Sequence, residues 1–381
     1  MWLFVIFYGF TFAIGTESQG NDIVAYVSQV KDFYYLQLSF SDVINLYKNS
    51  GEIDILRIFL AWLIATFTSN GYFLIIIYGI LFGYFYSRNI WYVLKRLQGK
   101  TQVFSTILIF CFFLAIPIWN LNGFRFWTAA QVFIYGLLPY IFEGKRRPLL
   151  WCFFTPIIFH FSFLAALIPL ITYLIIGDRI KMYFILFIAS FFFSEFNITS
   201  FNNFVESNVP QVIVERTKGY RHEDNVEKLR AGETNSNMVW YARYYTKALR
   251  WTIVFLLTII YLKLKQILIQ NQQYLRLLSF IFLFFSFANI LSSLPSGGRF
   301  IVIGNMIALG FMTMLFHNIR EKSQVLIFSQ ALSTPLLLFF IIISLRVGLY
   351  SFSAMTLLGN PLGALFSFGE NISLNDIIKG L

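Results

Sequence analysis

An arginine, a histidine and a serine lie in or beside stretches of otherwise apolar sequence. Arg125 begins one such stretch in NGFRFWTAA, and His160 and Ser162 lie within the next, in TPIIFHFSFLAALIP. Ionisable groups at membrane depth are costly, so they are functional candidates. A neutral imidazole accepts a proton near pH 7, and a guanidinium binds phosphate through a bidentate fork. These residue types predict a site that combines a base with an anion clamp.

Each of these residues also has a purely structural interpretation. His160 would then pack against a neighbouring helix through a hydrogen bond, and Arg125 would be an interfacial arginine whose charged end reaches water. Ser162 is two residues from His160, so the two do not share a face of a continuous helix. We therefore predict that Ser162 bonds to the backbone or to a ligand hydroxyl, and not that it forms a nucleophilic pair with His160.

Four further positions are weaker candidates for substrate binding. Arg299 in SSLPSGGRF follows a turn that opens a helix, and a helix N-terminus beside an arginine suits phosphate. Asp22 and Tyr26 in GNDIVAY are predicted to contact a sugar hydroxyl or to orient a base. Arg221 lies in TKGYRHEDN, whose side chains suit hydroxyl-rich or phosphate ligands. Ordinary loop charges are the alternative for Arg299, Asp22 and Arg221.

Composition indicates an integral membrane protein. The 381 residues are 58% hydrophobic and 12% charged, against about 25% charged in soluble domains. We predict an all-α transmembrane bundle forming a single domain over residues 1–381, with about 10–12 membrane segments. The eleven apolar segments are approximately 1–15, 54–69, 71–87, 103–120, 124–142, 149–176, 179–196, 248–269, 275–294, 299–316 and 325–347.

Two polar stretches interrupt this pattern. Residues 16–53 are rich in acids, and residues 197–247 form the longest polar stretch, which we predict to be an outer loop. Four short loops carry clusters of Lys and Arg, and the positive-inside rule places all four in the cytoplasm. If every apolar segment crossed the membrane in turn, these four loops could not all face the cytoplasm. The pattern therefore predicts that one segment between residues 149 and 247 fails to cross, with 179–196 as the candidate for a re-entrant or interfacial piece. If the acidic stretch 16–53 also faces outward, another non-crossing piece is required between 54 and 87.

The remaining signals exclude several functions. The net charge of +11 follows from the basic loops, so we predict no nucleic-acid partner. Cys111 and Cys152 lie in apolar stretches and form neither a disulfide framework nor a metal-ligand pattern. The sequence has no Walker, G-x-G-x-x-G or H-E-x-x-H motif, so no cofactor is predicted. The start MWLFVIFYGFTFAIG lacks a basic region and an A-x-A site, which favours a first membrane segment over a signal peptide.

Four short elements together resemble the EpsG family, which is related to Wzy-type O-antigen and capsule polymerases. GNDIVAY is similar to the family's G-x-D-x-x-x-Y, and FRFWTA to its R-x-x-x-A at the head of a helix. FHFSF is similar to its aromatic-His-x-Ser element, and PSGGRF to a late arginine element. The His-x-Ser after R-x-x-x-A is the most specific part. Phe126 and Trp127 depart from the polar or aliphatic residues that more usually follow the arginine.

The resemblance implies a multi-pass enzyme of the bacterial inner membrane. Such a glycosyltransferase-type polymerase would join lipid-linked oligosaccharide repeat units at the outer face, in the synthesis of exopolysaccharide, capsule or O-antigen. Its donor would be a polyprenyl-pyrophosphate-linked oligosaccharide, carried on undecaprenyl pyrophosphate. His160 would be the base, and Arg125 and Arg299 would hold the pyrophosphate. Membrane lipids, a flippase and a chain-length regulator are the implied partners.

Two other classes stay open from the sequence. A glycan flippase or other transporter typically shows internal repeats with interrupted helices at matching positions, and the sequence shows none. A membrane O-acyltransferase that modifies the polysaccharide would also use a buried histidine, but the acid–histidine or arginine-rich pattern of such enzymes is missing here.

Overall fold

The computed structural model describes residues 1–15, 22–49, 55–192, 206, 207, 211, 214, 239–318, 323–366, 369 and 371–380. The regular structure of these residues is helical, and their one β-type contact is an isolated bridge between Ser353 and Ser373. The helices are α1 (Trp2–Phe10), α2 (Asp22–Tyr35), α3 (Phe40–Asn49), α4 (Ile55–Ala65), α5 (Tyr72–Leu94), α6 (Val103–Ala115), α7 (Phe124–Glu143), α8 (Arg146–Ile158), α9 (Phe163–Ile176), α10 (Ile180–Ser190), α11 (Trp240–Gln270), α12 (Gln272–Leu291), α13 (Gly298–Asn318), α14 (Gln324–Gly348), α15 (Ala354–Leu358), α16 (Pro361–Phe366) and α17 (Leu374–Lys379).

Six helical stretches of the described chain are long and apolar enough to cross a membrane, which confirms the predicted multi-pass helical bundle. They are Tyr72–Leu94, Val103–Glu143, Trp240–Gln270, Gln272–Leu291, Gly298–Asn318 and Gln324–Gly348. The second contains α6 and α7, joined by a 3₁₀ turn. In α13, 94% of the most apolar 18 residues are buried, against 28% in α14. The helix α13 is therefore central, and α14 is peripheral.

The predicted apolar segment 149–176 consists of two helices that meet at His160. The helix α8 runs antiparallel to α7 and brings the His160 ring to 5.5 Å from the Phe126 ring, centroid to centroid. The helix α9 then runs back, as shown by Tyr173 near its end, which packs edge-on at 5.5 Å against Phe280 in the first half of α12. Neither helix reaches the roughly 20 residues that span a bilayer.

Close contact between α7 and α8 depends on a glycine. A Cβ at Gly136 would lie 2.7 Å from the carbonyl oxygen of Pro148 and 2.9 Å from the sulfur of Cys152. Small residues at such positions let two helix backbones approach closely. Gly136 thus permits the packing that sets α8, and the turn after it, beside the start of α7.

The chain reverses once more in α10, which runs parallel to α12. Phe187 packs at 6.0 Å against Phe285, and Asn289 Nδ2 donates to Ser190 Oγ at 2.8 Å. The reversal at 159–162 is a change of direction that the sequence analysis did not predict. The helix α10 has 11 residues and is not among the six spanning stretches, and the prediction that 179–196 fails to cross stays a prediction. The sequence analysis missed the break at 159–162 because it treated residues 149–176 as one apolar segment.

The basic loops after α5, α7 and α11 lie at one end of the bundle, together with the end of α13. This end is here termed the basic end. Arg96 forms an ion pair with Glu143, whose other carboxylate oxygen lies 2.7 Å from Lys145. Asn318 Nδ2 donates to the carbonyl of Arg96 and to Tyr274 Oη, both at 3.0 Å. The chain after α5, the end of α7, the start of α12 and the end of α13 therefore meet, which agrees with the positive-inside pattern.

The acidic stretch 16–53 contains α2 and α3, which pack against the short helix α4. The guanidinium of Arg57 on α4 donates to Gln29 on α2, and Trp62 Nε1 donates at 3.1 Å to a carbonyl of the chain that follows α2. The helix α4 thus lies along α2 and α3 over its length. With 11 residues, α4 is shorter than the roughly 20 residues that span a bilayer, and the predicted non-crossing piece between 54 and 87 stays a prediction.

The predicted loop 197–247 lies mostly outside the described residues. Its last eight residues form the first turns of α11. The preceding helix α10 ends beside Asn289, and Tyr241 at the start of α11 has the Arg346 guanidinium 4.5 Å from its ring centroid. Both flanks of the segment therefore lie at the end of the bundle opposite to the basic end.

Candidate active site

Side chains from α2, α4 and α7 meet at the end of the bundle opposite to the basic end. Arg125 Nε donates to Tyr26 Oη at 2.8 Å. The Arg57 guanidinium lies 4.9 Å from the centroid of the same Tyr26 ring. Tyr26 and Arg57 are each 5% exposed. Two guanidinium groups therefore share one buried phenol at the head of α7.

His160 lies in the non-helical link between α8 and α9, outside the six spanning stretches, and is 5% exposed. The backbone N–H of Ser162 donates to His160 Nδ1 at 3.2 Å, and Ser162 Oγ lies 2.9 Å from the same nitrogen. The prediction that Ser162 is separate from His160 is wrong, because it assumed an unbroken helix. An N–H only donates, so Nδ1 accepts and the proton of the neutral ring lies on Nε2.

Phe126 connects the histidine to a further arginine. Its ring meets His160 edge-on, and the Arg299 guanidinium lies 5.4 Å from the Phe126 centroid. Arg125 and Phe126 are successive residues of α7, so they face different neighbours: Arg125 faces Tyr26, and Phe126 faces His160. The start of α7 is thus the centre of the site.

Electrostatics couple these groups. Burial lowers the pKa of His160 to about 3, and the positive charges of Arg125 and Arg299 act in the same direction. Burial raises the pKa of Tyr26 to about 12, against the opposing charge of Arg125. His160 is therefore an uncharged imidazole at neutral pH, and Tyr26 is an uncharged phenol.

Comparison with known protein families gives a match over most of the chain. A sequence profile described as the EpsG family matches residues 1–354. The chain belongs to the EpsG family. It is an exopolysaccharide-related, multi-pass membrane protein. Searches of curated proteins and of solved structures give no significant match.

Most of the predicted site residues of this EpsG-family chain lie together. Arg125, His160, Ser162, Tyr26 and Arg299 make the contacts described above. Asp22 is one turn before Tyr26 on α2, where its charge acts on the Tyr26 phenol. Arg221 lies outside the described residues. Whether each residue acts in the predicted role stays a prediction.

Two residues of the site were missed or misjudged in the sequence. Arg57 is a buried arginine within ILRIFLAWLIA, and the criterion that selected His160, an ionisable group inside an apolar helix, would have selected it as well. Phe126 was noted only as a departure from the family pattern. The structure shows that it contacts both His160 and Arg299.

A tight turn positions Arg299 within SSLPSGGRF. A Cβ at Gly297 would lie 1.8 Å from the carbonyl oxygen of Leu291, a contact that no side chain tolerates. The neighbouring Gly298 faces open space. Ser296 adopts φ 63°, in the left-handed region. The turn thus needs glycine at Gly297 but not at Gly298.

Proposed function

We propose that this protein polymerises a surface polysaccharide by transferring a glycan from polyprenyl pyrophosphate to a hydroxyl of an acceptor unit. The main support is that the buried Arg57, the half-buried Arg125, the exposed Arg299, a phenol and a Ser–His pair converge at one end of a membrane bundle. EpsG-family membership supports the polysaccharide part of the proposal. The basic end would face the cytoplasm of the inner membrane, so the reaction would occur at the outer face.

The arginines suit the departing pyrophosphate. Its negative charge grows as the glycosidic bond to phosphate breaks, and guanidinium groups fixed in place stabilise such charge without reorganisation. Tyr26 would assist them, because its oxygen accepts from Arg125 and its own O–H has no acceptor among the residues that the structure describes. That proton is oriented by the Arg125 contact and would be donated to a phosphate oxygen.

Ser162 would relay the proton from the acceptor. The acceptor hydroxyl oxygen forms the new bond to the anomeric carbon, whose bond to the pyrophosphate oxygen breaks. The hydroxyl proton passes to Ser162 Oγ, and the Ser162 proton passes to His160 Nδ1, 2.9 Å away. The ring then carries protons on both nitrogens, and the lipid pyrophosphate leaves with the bonding electrons.

Donor binding would activate the base. In the empty site the charges of Arg125 and Arg299 oppose protonation of His160. A bound pyrophosphate would offset those charges, so the pKa of His160 would rise towards the range in which a base is effective at neutral pH. Proton removal from the acceptor would then occur only when the donor is present.

The decisive experiment uses purified protein in lipid vesicles with a lipid-linked oligosaccharide and no nucleotide sugar. We expect a ladder of products that grow by whole repeat units, and none with a His160→Ala variant. Movement of the lipid-linked unit across the membrane without any change in length would instead identify a flippase.

The hydroxyl of Tyr26 provides one prediction. We expect Tyr26→Phe to lower the rate of ladder formation roughly 10- to 100-fold, because a hydrogen bond to a charged group is lost while the buried ring remains. Tyr35→Phe is the matched control, since Tyr35 lies on the same helix and is 67% exposed. Equal rates for the two variants would remove Tyr26 from the anion site.

The turn before Arg299 provides a second prediction. We expect Gly297→Ala to displace the turn and Arg299 with it, and to lower the rate of ladder formation roughly 10- to 100-fold. Gly298→Ala should retain near-normal activity, because its added methyl group meets no neighbour. If both variants are equally active, the turn does not position Arg299 for the reaction.

The orientation of the protein is tested by cysteine labelling. The native Cys111 and Cys152 are buried and give little background. A cysteine replacing Ser236 should react with a membrane-impermeant maleimide in intact cells whose outer membrane is permeabilised. A cysteine replacing Lys100, an exposed residue of the basic end, should react only after lysis. The opposite result would reverse the proposed topology.

A further inference from the structure

A cavity of about 240 Å³ lies at the basic end, between α5, α7 and α8. It is distinct from the candidate active site, because α7 runs 18 residues from Arg125 to Glu143, about 27 Å along the helix. Three cationic side chains, one carboxylate and several aromatic or apolar groups line it. They are Arg88, Asn89, Trp91, Tyr92, Lys95, Tyr135, Leu138, Pro139, Glu143, Lys145 and Pro148.

The positive charge of this cavity is not balanced by its own walls. Glu143 is its single carboxylate, and it already contacts Arg96 and Lys145. No carboxylate among the described residues pairs with Arg88 or Lys95. Their charged ends lie instead over aromatic rings, with Arg88 5.3 Å from the Tyr84 centroid and Lys95 5.5 Å from that of Tyr92.

The cations also repel one another. Lys95 lies just beyond the end of α5. Burial lowers its pKa, and the positive charges of Arg96 and Lys145 lower it further. An anion inside the cavity would relieve this repulsion. It would also supply acceptors to the donors of Arg88 and Lys95, which have no carboxylate partner among the described residues.

The apolar walls indicate that the anion belongs to a lipid. Trp91 is 59% exposed beside the cavity, and an exposed indole is typical of the membrane–water interface. Leu138, Pro139 and Pro148 add further apolar surface. A phosphate with attached acyl chains satisfies both kinds of wall, whereas a free phosphate satisfies only the cations.

We propose that this cavity binds the phosphate headgroup of an anionic phospholipid in the leaflet at the basic end. Basic pockets between membrane helices on the cytoplasmic side are suited to such headgroups. The walls of the cavity are the helices that lead to the candidate active site, so a bound lipid would also stabilise the α5–α7–α8 arrangement. The proposal does not depend on the polymerase activity.

The test compares the full-length protein in detergent with added phosphatidylglycerol or phosphatidylcholine, using native mass spectrometry and thermal unfolding. We expect retention of phosphatidylglycerol and a higher Tm with that lipid only. The double variant Arg88→Gln with Lys95→Gln should weaken retention roughly 30-fold. Lys100→Gln with Lys181→Gln is the control, because it removes the same charge from exposed residues near the basic end that do not line the cavity.

Three results would overturn the proposal. Equal retention of the two lipids would show that the headgroup charge is not recognised. Equal loss in the cavity and control variants would show a general effect of charge. Displacement of the lipid by millimolar inorganic phosphate would show that the cavity takes free phosphate. None of these measurements involves glycan transfer, so they are independent of the proposed function.

Discussion

Replacing Arg125 by lysine is expected to lower the rate of ladder formation at least about 100-fold, with expression and membrane insertion unchanged. Lysine keeps the positive charge but is a single point of charge on a flexible chain. Arg125 contacts Tyr26 Oη through Nε, and the planar fork of N–H donors in a guanidinium matches the geometry of phosphate oxygens. A lysine ammonium cannot perform both tasks in one geometry.

The control for this variant is Arg179→Lys, at an exposed arginine just before α10. It should have normal activity, which would show that loss of a guanidinium is not harmful in general. Binding of the lipid-linked donor should weaken in Arg125→Lys, since Arg125 is proposed to act on the pyrophosphate. Full activity of the lysine variant would return Arg125 to the role of an interfacial anchor.

The fold class was predictable because lipid imposes simple rules on the backbone. Long apolar runs must be helical, and clusters of Lys and Arg mark one side of the membrane. Those rules also revealed that the predicted segments could not alternate correctly. They did not locate the break at 159–162, because its polar residues, His160 and Ser162, were interpreted as site residues within one continuous helix.

The candidate site was predictable only as separate residues. Arg125 and His160 were selected by their cost in an apolar environment, which is a property of single positions. Their arrangement depends on tertiary packing: Tyr26 and Arg125 are 99 residues apart, and their hydrogen bond exists because α2 lies against the start of α7. The Ser162–His160 contact is local, yet it was excluded on the assumption of an unbroken helix.

Replacing His160 by glutamine separates a structural role from a catalytic one. Glutamine retains a polar group in the turn but cannot take up a proton, so we expect the rate of ladder formation to fall at least about 100-fold. Donor binding should remain near normal, because the base acts on the acceptor. Ser162→Ala should lose activity as well, and the double variant should be little worse than His160→Gln, since the two residues would act as one unit.

The pH profile gives the sharper test of how His160 is tuned. A base must be neutral to act, so activity should be present above the pKa of His160 and be lost as the pH falls through it. In the free protein, burial and the charges of Arg125 and Arg299 hold that pKa well below 6.5.

The acid limb of kcat/KM, which reports the free protein, should therefore lie well below pH 6. The acid limb of kcat should lie at higher pH, because bound pyrophosphate offsets the arginine charges. Coincident limbs would contradict activation by the donor, and a glutamine variant with the native rate would show that the base lies elsewhere.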